Sequence, residues 1–162
     1  MKKNRGISLI TLVVMIIIMI ILAAIVINVT TKSFDKSIET KANEERAQVQ
    51  YAISSRFGDY QRNSTANPIV GIIIPEENRA TVDSVVNYIT FKLKRDYGKL
   101  VNVDSKEQEN DIRKMVSDNF EDMEYTRILT PTDLIELEME NTNLNAVYLV
   151  NYYSSDVVGP IN

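Results

Sequence analysis

The chain has 162 residues, 44% of them hydrophobic and 25% charged, with a formal net charge of −4 and neither Cys nor His. Without Cys there is no disulfide and no thiol nucleophile, and without His the commonest general base near neutral pH and the commonest zinc ligand are missing. There is no Gly-rich phosphate loop, and the acidic balance opposes broad contact with phosphates, so composition points away from an enzyme, from a metal or other cofactor, and from evident nucleic-acid binding.

The first element is apolar. Between Ile7 and Ile27 only Ser8 and Thr11 are polar, and the stretch follows a basic head, Met1-Lys2-Lys3-Asn4-Arg5-Gly6. As a helix at ~1.5 Å per residue it is ~30 Å long, the thickness of bilayer hydrocarbon. Its Ile, Leu and Val side chains together favour insertion by several kcal/mol on a scale of roughly −0.3 to −0.6 kcal/mol each. The expectation is a single pass through the cytoplasmic membrane, with the basic head inside and the remaining chain outside. A secretory signal peptide is shorter and ends in a small-x-small site, which Val26-Ile27-Asn28-Val29-Thr30 does not offer. A plain signal anchor fits the length and charge equally well.

Arg5-Gly6-Ile7-Ser8-Leu9-Ile10-Thr11-Leu12-Val13-Val14 resembles the processing site of type IV pilins and pseudopilins, of the Gram-positive type. The resemblance implies cleavage after Gly6 by a prepilin peptidase and methylation of Ile7 as the new N-terminus. It also implies assembly through Ile7, Ser8 and Thr11 with other pilin-like subunits, driven by an assembly platform and a cytoplasmic ATPase. The family commonly carries Glu at the place held here by Thr11. That Glu pairs with a neighbour's N-terminal amine, and a buried ammonium without a partner is costly. Thr11 accepts a hydrogen bond but cannot neutralise charge, which weighs against an abundant major pilin more than against membership. Loss of Lys2, Lys3 and Arg5 leaves 15 basic residues against 22 acidic, a net charge of −7.

Helical character continues past Asn28. No Gly or Pro interrupts Ser33 to Gly58, and Phe34, Ile38, Ala42, Val49, Ala52, Ile53, Phe57 and Tyr60 recur at a helical period. Read as one piece from Ile7, this predicts a spine of ~80 Å, apolar all round in its first half and amphipathic in its second. The polar stretch from Arg62 to Asn67 ends it before Pro68. Ile69 to Ile74 is a short apolar run, strand or packed loop, closed by Pro75.

Beyond it, Asn78 is the predicted cap of a second helix burying Val82, Val85, Val86, Ile89 and Leu93 and ending near Tyr97-Gly98. Leu100 to Val103 is a predicted strand, and Glu107 to Phe120 a third helix with Ile112, Met115, Val116 and Phe120 inward. Glu124 to Leu129 alternates as a strand, Thr130-Pro131-Thr132-Asp133 starts a short helix, and Ala146 to Tyr153 is a strand that turns at Ser154-Ser155-Asp156 to pair with Val157-Val158. Leu129-Thr130, Asp133-Leu134 and Tyr148-Leu149-Val150-Asn151-Tyr152 resemble a C-terminal pattern of Gram-positive pilin-like proteins.

Other candidate sites have ordinary readings beside them. Asp104, Glu107, Glu109 and Asp111 suggest a calcium loop, but Lys106 and Gln108 fall where ligands belong, and solvated acids explain them. Asp118, Glu121, Asp122 and Glu124 read the same way, and Glu136, Glu138 and Glu140 pair as catalytic carboxylates only by accident of fold. Tyr148, Val150 and Tyr152 share one strand face, which is core, with a partner surface around Tyr148, Tyr152 and Tyr153 as the alternative. Asn63-Ser64-Thr65 is a polar loop open to modification.

The fold class expected is therefore α+β, a long N-terminal helix spine packed on a small C-terminal globular domain of short helices and an antiparallel sheet. Its parts are a leader (1–6), an apolar half-helix for membrane and filament core (7–28), an amphipathic half (29–62) and an extracellular domain (63–162). The function expected is a pilin or minor pseudopilin of a type IV pilus, competence or type II secretion-like filament, first membrane-bound and then extracellular. The rivals are a non-polymerising single-pass anchored binding protein and a tip subunit that binds DNA or a surface.

Overall fold

The computed structural model describes residues 9–100, 105–139 and 145–161, with backbone alone at 9, 10, 24–32 and 34. The chain divides into two compact units, Met1–Lys41 and Ala42–Asn162. Helix α1, Leu9–Arg62, contributes residues to both.

In the first unit, the large apolar side chains from Leu12 to Leu22 are exposed, from 46% at Val13 to 71% at Met19. Two expectations are corrected here. The apolar stretch described with its side chains covers residues 11–23; at ~1.5 Å per residue it is ~20 Å long, short of the ~30 Å of bilayer hydrocarbon. No helix among the described residues is long and apolar enough to cross a membrane. The single pass through the cytoplasmic membrane is overturned on that ground, and with it the fold class built on a long, half-apolar spine. What stands is an α+β chain with a four-stranded antiparallel sheet.

The second unit holds that sheet. It comprises β1 (Ile72–Ile73), α2 (Val82–Tyr97), α3 (Lys106–Asp118), β2 (Thr126–Leu129), α4 (Pro131–Glu136), β3 (Val147–Asn151) and β4 (Asp156–Ile161), with the strands in the order β1-β2-β3-β4. Ile128 pairs with Ile72 on one side and Leu149 on the other, and Val150 pairs with Val157. Strands that alternate polar and apolar residues have one wet face; β3 has none, and all five of its residues are buried. Its alternate residues feed two cores. Val147 and Leu149 join Ile128 and Ile161 against Val85, Ile89 and Leu93 of α2 and Ile112 and Val116 of α3. Tyr148 and Val150 join Leu129, Leu134 of α4, and Val49 and Ile53 from the part of α1 that belongs to this unit. Three layers result: α1, sheet, α2 with α3.

Local chemistry sets the ends of these elements. Asn78 closes a 3-10 turn, Glu76–Asn78, and the cap of α2 is Thr81 instead. Thr81 is extended (φ −145°, ψ 159°) and its hydroxyl accepts from the Ser84 N–H at 3.1 Å, satisfying one free donor of the first turn. Ser105 caps α3 in the same way. Thr130 and Asp133 cap α4 reciprocally, with Pro131 in the first turn. A 3-10 turn, Met123–Tyr125, takes in Glu124, so β2 starts two residues later than alternation suggests. The strand expected over Leu100–Val103 falls on 101–103, outside the described residues, and Leu100 is exposed.

Candidate functional site

The processing and assembly residues Gly6, Ile7 and Ser8 lie outside the described residues, while Thr11 is exposed on α1. What the first unit does present is the apolar surface that follows Thr11. Leu12, Ile16 and Met19 point one way around the helix and Val14, Ile17 and Ile21 another, yet all are at least 46% exposed. An amphipathic helix seeking one core would leave a polar face. This stretch leaves none, so it meets water poorly on every side.

Ser33 and Asp35 to Lys41 are also exposed and mostly polar, with Ile38 at 68% the large apolar exception. Of the amphipathic stripe expected from Phe34 onward, Val49 and Ile53 are buried, Ala42, Ala52, Phe57 and Tyr60 half-buried and Ile38 exposed, while the side chain of Phe34 lies outside the described residues. Glu45, not part of that stripe, is buried as well. Glu45 is a buried carboxylate that accepts from the Tyr148 hydroxyl at 3.4 Å. Burial pushes the Tyr148 hydroxyl well above its ordinary range, and the Glu45 charge adds to the rise.

The acidic candidates do not converge. Glu109 faces Arg113 at 3.9 Å, and Arg113 also pairs with Asp83 of α2. Glu136 pairs with Arg56 of α1 at 3.4 Å, and Asp104 and Glu140 lie outside the described residues. Among the described residues no three acidic side chains are grouped to hold a metal ion. Arg56 and Glu136 line an open groove of about 760 Å3 together with Ala52, Leu137, Met139 and the exposed Tyr51.

The three C-terminal tyrosines separate. Tyr148 and Tyr152 are fully buried, and Tyr153 is 58% exposed. The Tyr152 hydroxyl donates to the Val70 carbonyl at 3.0 Å, and burial pushes it up to about 12. Tyr153 belongs to a group that periodicity does not disclose. Its ring stacks on Tyr125 at 5.8 Å, and Phe57 meets both edge-on, at 5.4 Å from Tyr125 and 6.2 Å from Tyr153. Tyr60 stacks on Phe57 at 5.9 Å. The only hint in the sequence is the spacing of Phe57 and Tyr60, which puts both on one side of a helix.

Nearby, Arg127 is buried, with Nη1 donating to the carbonyls of Glu124 and Thr126. Removal from water lowers its pKa, and Nε lacks a hydrogen-bond partner. A strand position in a run of apolar residues gives no sign of a buried cation. Comparison of the chain with family models, with characterised proteins and with solved structures returns no match.

Proposed function

We propose that this chain is a structural subunit, not an enzyme, of a helix-cored filament of the pilin-like kind: a type IV pilus, competence or type II secretion-like assembly. One observation supports the reading above the others. Eleven consecutive large apolar residues, Leu12 to Leu22, have no covering surface of their own. Burying roughly half of each side chain is worth about 1 kcal/mol apiece, or about 10 kcal/mol per subunit, enough to offset the ordering that association requires. Copies of the same helix, or helices of related subunits, supply that cover.

The processing chemistry fits the same role. Prepilin peptidase cuts after Gly6, Ile7 becomes the methylated first residue, and removal of the basic leader frees the helix start for packing at Ile7, Ser8 and Thr11. A platform and a cytoplasmic ATPase add subunits one at a time. Mass spectrometry of the protein co-expressed with prepilin peptidase tests this. A methylated Ile7 is the expected N-terminus, and a chain that keeps Met1 to Gly6 overturns the proposal. Gly6→Ala should accumulate as precursor and vanish from sheared filaments.

A further inference from the structure

A buried cation on β2 has no counter-charge. Arg127 is 7% exposed, and a guanidinium keeps its charge at every pH a protein meets. Nη1 is in use, donating to the carbonyls of Glu124 and Thr126. Nε is buried without a partner. Nη2 has no partner among the described residues either, but it is not sealed from solvent. Nε and Nη2 share one edge of the planar group and point their N–H bonds the same way. That edge is the fork that takes two oxygens of a carboxylate or a phosphate.

A second guanidinium stands beside it. Arg79 is half-buried and donates from Nε to the Ile74 carbonyl at 2.7 Å. Ile73 pairs with Arg127, so the next step of that register sets Ile74 opposite Thr126. The carbonyls that hold the two guanidinium groups therefore belong to facing residues. Removal from water lowers the Arg127 pKa, and the Arg79 charge lowers it further.

The acidic side chains of this region do not neutralise the pair. Glu124 accepts from the Tyr125 hydroxyl, Asp156 accepts from Asn119 and Ser154, and Asp59 faces Arg62. Glu76 and Glu77 are exposed and Asp122 is half-buried. Among the described residues no carboxylate pairs with Arg79 or Arg127. Glu124, Tyr60 and Tyr152 favour the Arg127 charge from a distance without bonding it. A buried charge that lacks a partner is costly, and a like charge beside it adds to the cost. An oxyanion on the fork removes both.

We propose that Arg127 and Arg79 form a binding site for an oxyanion, a carboxylate or phosphate group that lies on the Nε–Nη2 edge of Arg127 and also meets Arg79. The site does not rest on the filament reading.

The test is a 15N NMR titration of the arginine Nε–H signals of the full chain in a nonionic detergent at pH 7. Sodium phosphate and sodium acetate are the separate probes, against sodium chloride at matched ionic strength. The Arg127 and Arg79 signals are assigned by their absence in Arg127→Met and Arg79→Gln. The expected result is a saturable shift of both signals with at least one probe, and the lower half-saturation point names the group as phosphate or carboxylate. In Arg127→Met the Arg79 signal should no longer move, and the variant should fold because an apolar side chain replaces a buried charge. Arg79→Gln, which carries the test should Arg127→Met fail to fold, should weaken the response of Arg127 at least ~10-fold, the worth of one charged hydrogen bond. No saturable shift up to about 50 mM probe, where a site of about 10 mM is mostly filled, overturns the proposal. Equal shifts in sodium chloride, which mark an adventitious ion only, also overturn it, as does an Arg127 response undiminished in Arg79→Gln.

Discussion

Thr126 and Asn151 face each other across β2 and β3, and the Asn151 amide donates to the Thr126 hydroxyl at 2.9 Å. The same nitrogen donates to the Asp122 carbonyl at 3.1 Å, and the amide oxygen accepts from the N–H groups of Tyr153 and Ser154 at 2.9 and 3.0 Å. Two donors and two acceptor sites are the whole capacity of an amide, and here all are used in a side chain with no exposure. Asn151 thus joins the start of β2 to the hairpin tip that carries Tyr153.

Replacing it leaves several buried groups unpaired at once. Asn151→Ala is expected to cost about 2–4 kcal/mol, since each orphaned buried group costs about 1–3 kcal/mol and partial relaxation recovers some of it. A urea titration reads this as a lowered midpoint with an unchanged slope. A loss under about 0.5 kcal/mol, the scale of an ordinary surface change, would show that the amide does not fasten the tip.

Two glycines give opposite expectations. Gly58 sits within α1 with nothing near its missing Cβ, so Gly58→Ala should stabilise by about 0.5–1 kcal/mol through helix propensity. Gly159 has φ +137°, and a Cβ there would lie 2.6 Å from Tyr148 Cδ1 and 3.1 Å from the Val147 carbonyl. Gly159→Ala should destabilise by at least ~2 kcal/mol, from backbone strain and overpacking together. Thermal unfolding of both variants beside the parent checks the sign of each.

How much of this is legible in the sequence varies by element. The stripes Val85, Val86, Ile89, Leu93 and Ile112, Met115, Val116 are buried as their spacing requires, because period alone picks the inward face of a helix. The Thr130-Pro131 helix start is equally plain, because capping is local chemistry. Asn78 passes for a cap because an Asn ahead of a helical stripe reads the same whether it closes a 3-10 turn or caps the helix, and the extended residue is Thr81. The two-sided burial of β3 is hidden because Tyr148 and Asn151 carry polar atoms that find partners in the interior. The ring group of Phe57, Tyr125 and Tyr153 joins residues nearly a hundred positions apart, and no local pattern encodes that.

Alkali should loosen the domain through Tyr152. Its hydroxyl is pushed up to about 12 in the fold by burial, against about 10 for a free phenol. A raised folded-state value means the stabilising contribution is full below pH 10 and is lost as pH climbs through about 12. Denaturant midpoints between pH 9 and pH 12 should therefore fall for the parent, by about 2 kcal/mol at the upper end. Tyr152→Phe should be weaker by about 1 kcal/mol at pH 8, having lost the bond to Val70, but should fall less steeply. Equal slopes in the two proteins would assign the alkaline loss to another group, and Tyr148, raised further by burial beside Glu45, is the next to test.

The apolar run on α1 offers a direct test of self-association, because the chain has no cysteine to confuse it. Helices that pack with axes about 8–10 Å apart bring facing Cβ atoms within disulfide reach. Ile16→Cys, in the middle of the exposed stretch, should therefore yield covalent dimers on mild oxidation of assembled material. Asn87→Cys, on the exposed side of α2, should remain a monomer on the same gel. Ile16→Lys asks the converse question. A bundle interior has no water to hold an ammonium, and a buried unpaired charge costs at least several kcal/mol. Recovery of filaments should then fall at least ~100-fold, while the folded second unit keeps its urea midpoint. Filaments formed as readily by the Ile16→Lys variant would mean that this surface is covered by something other than its own kind.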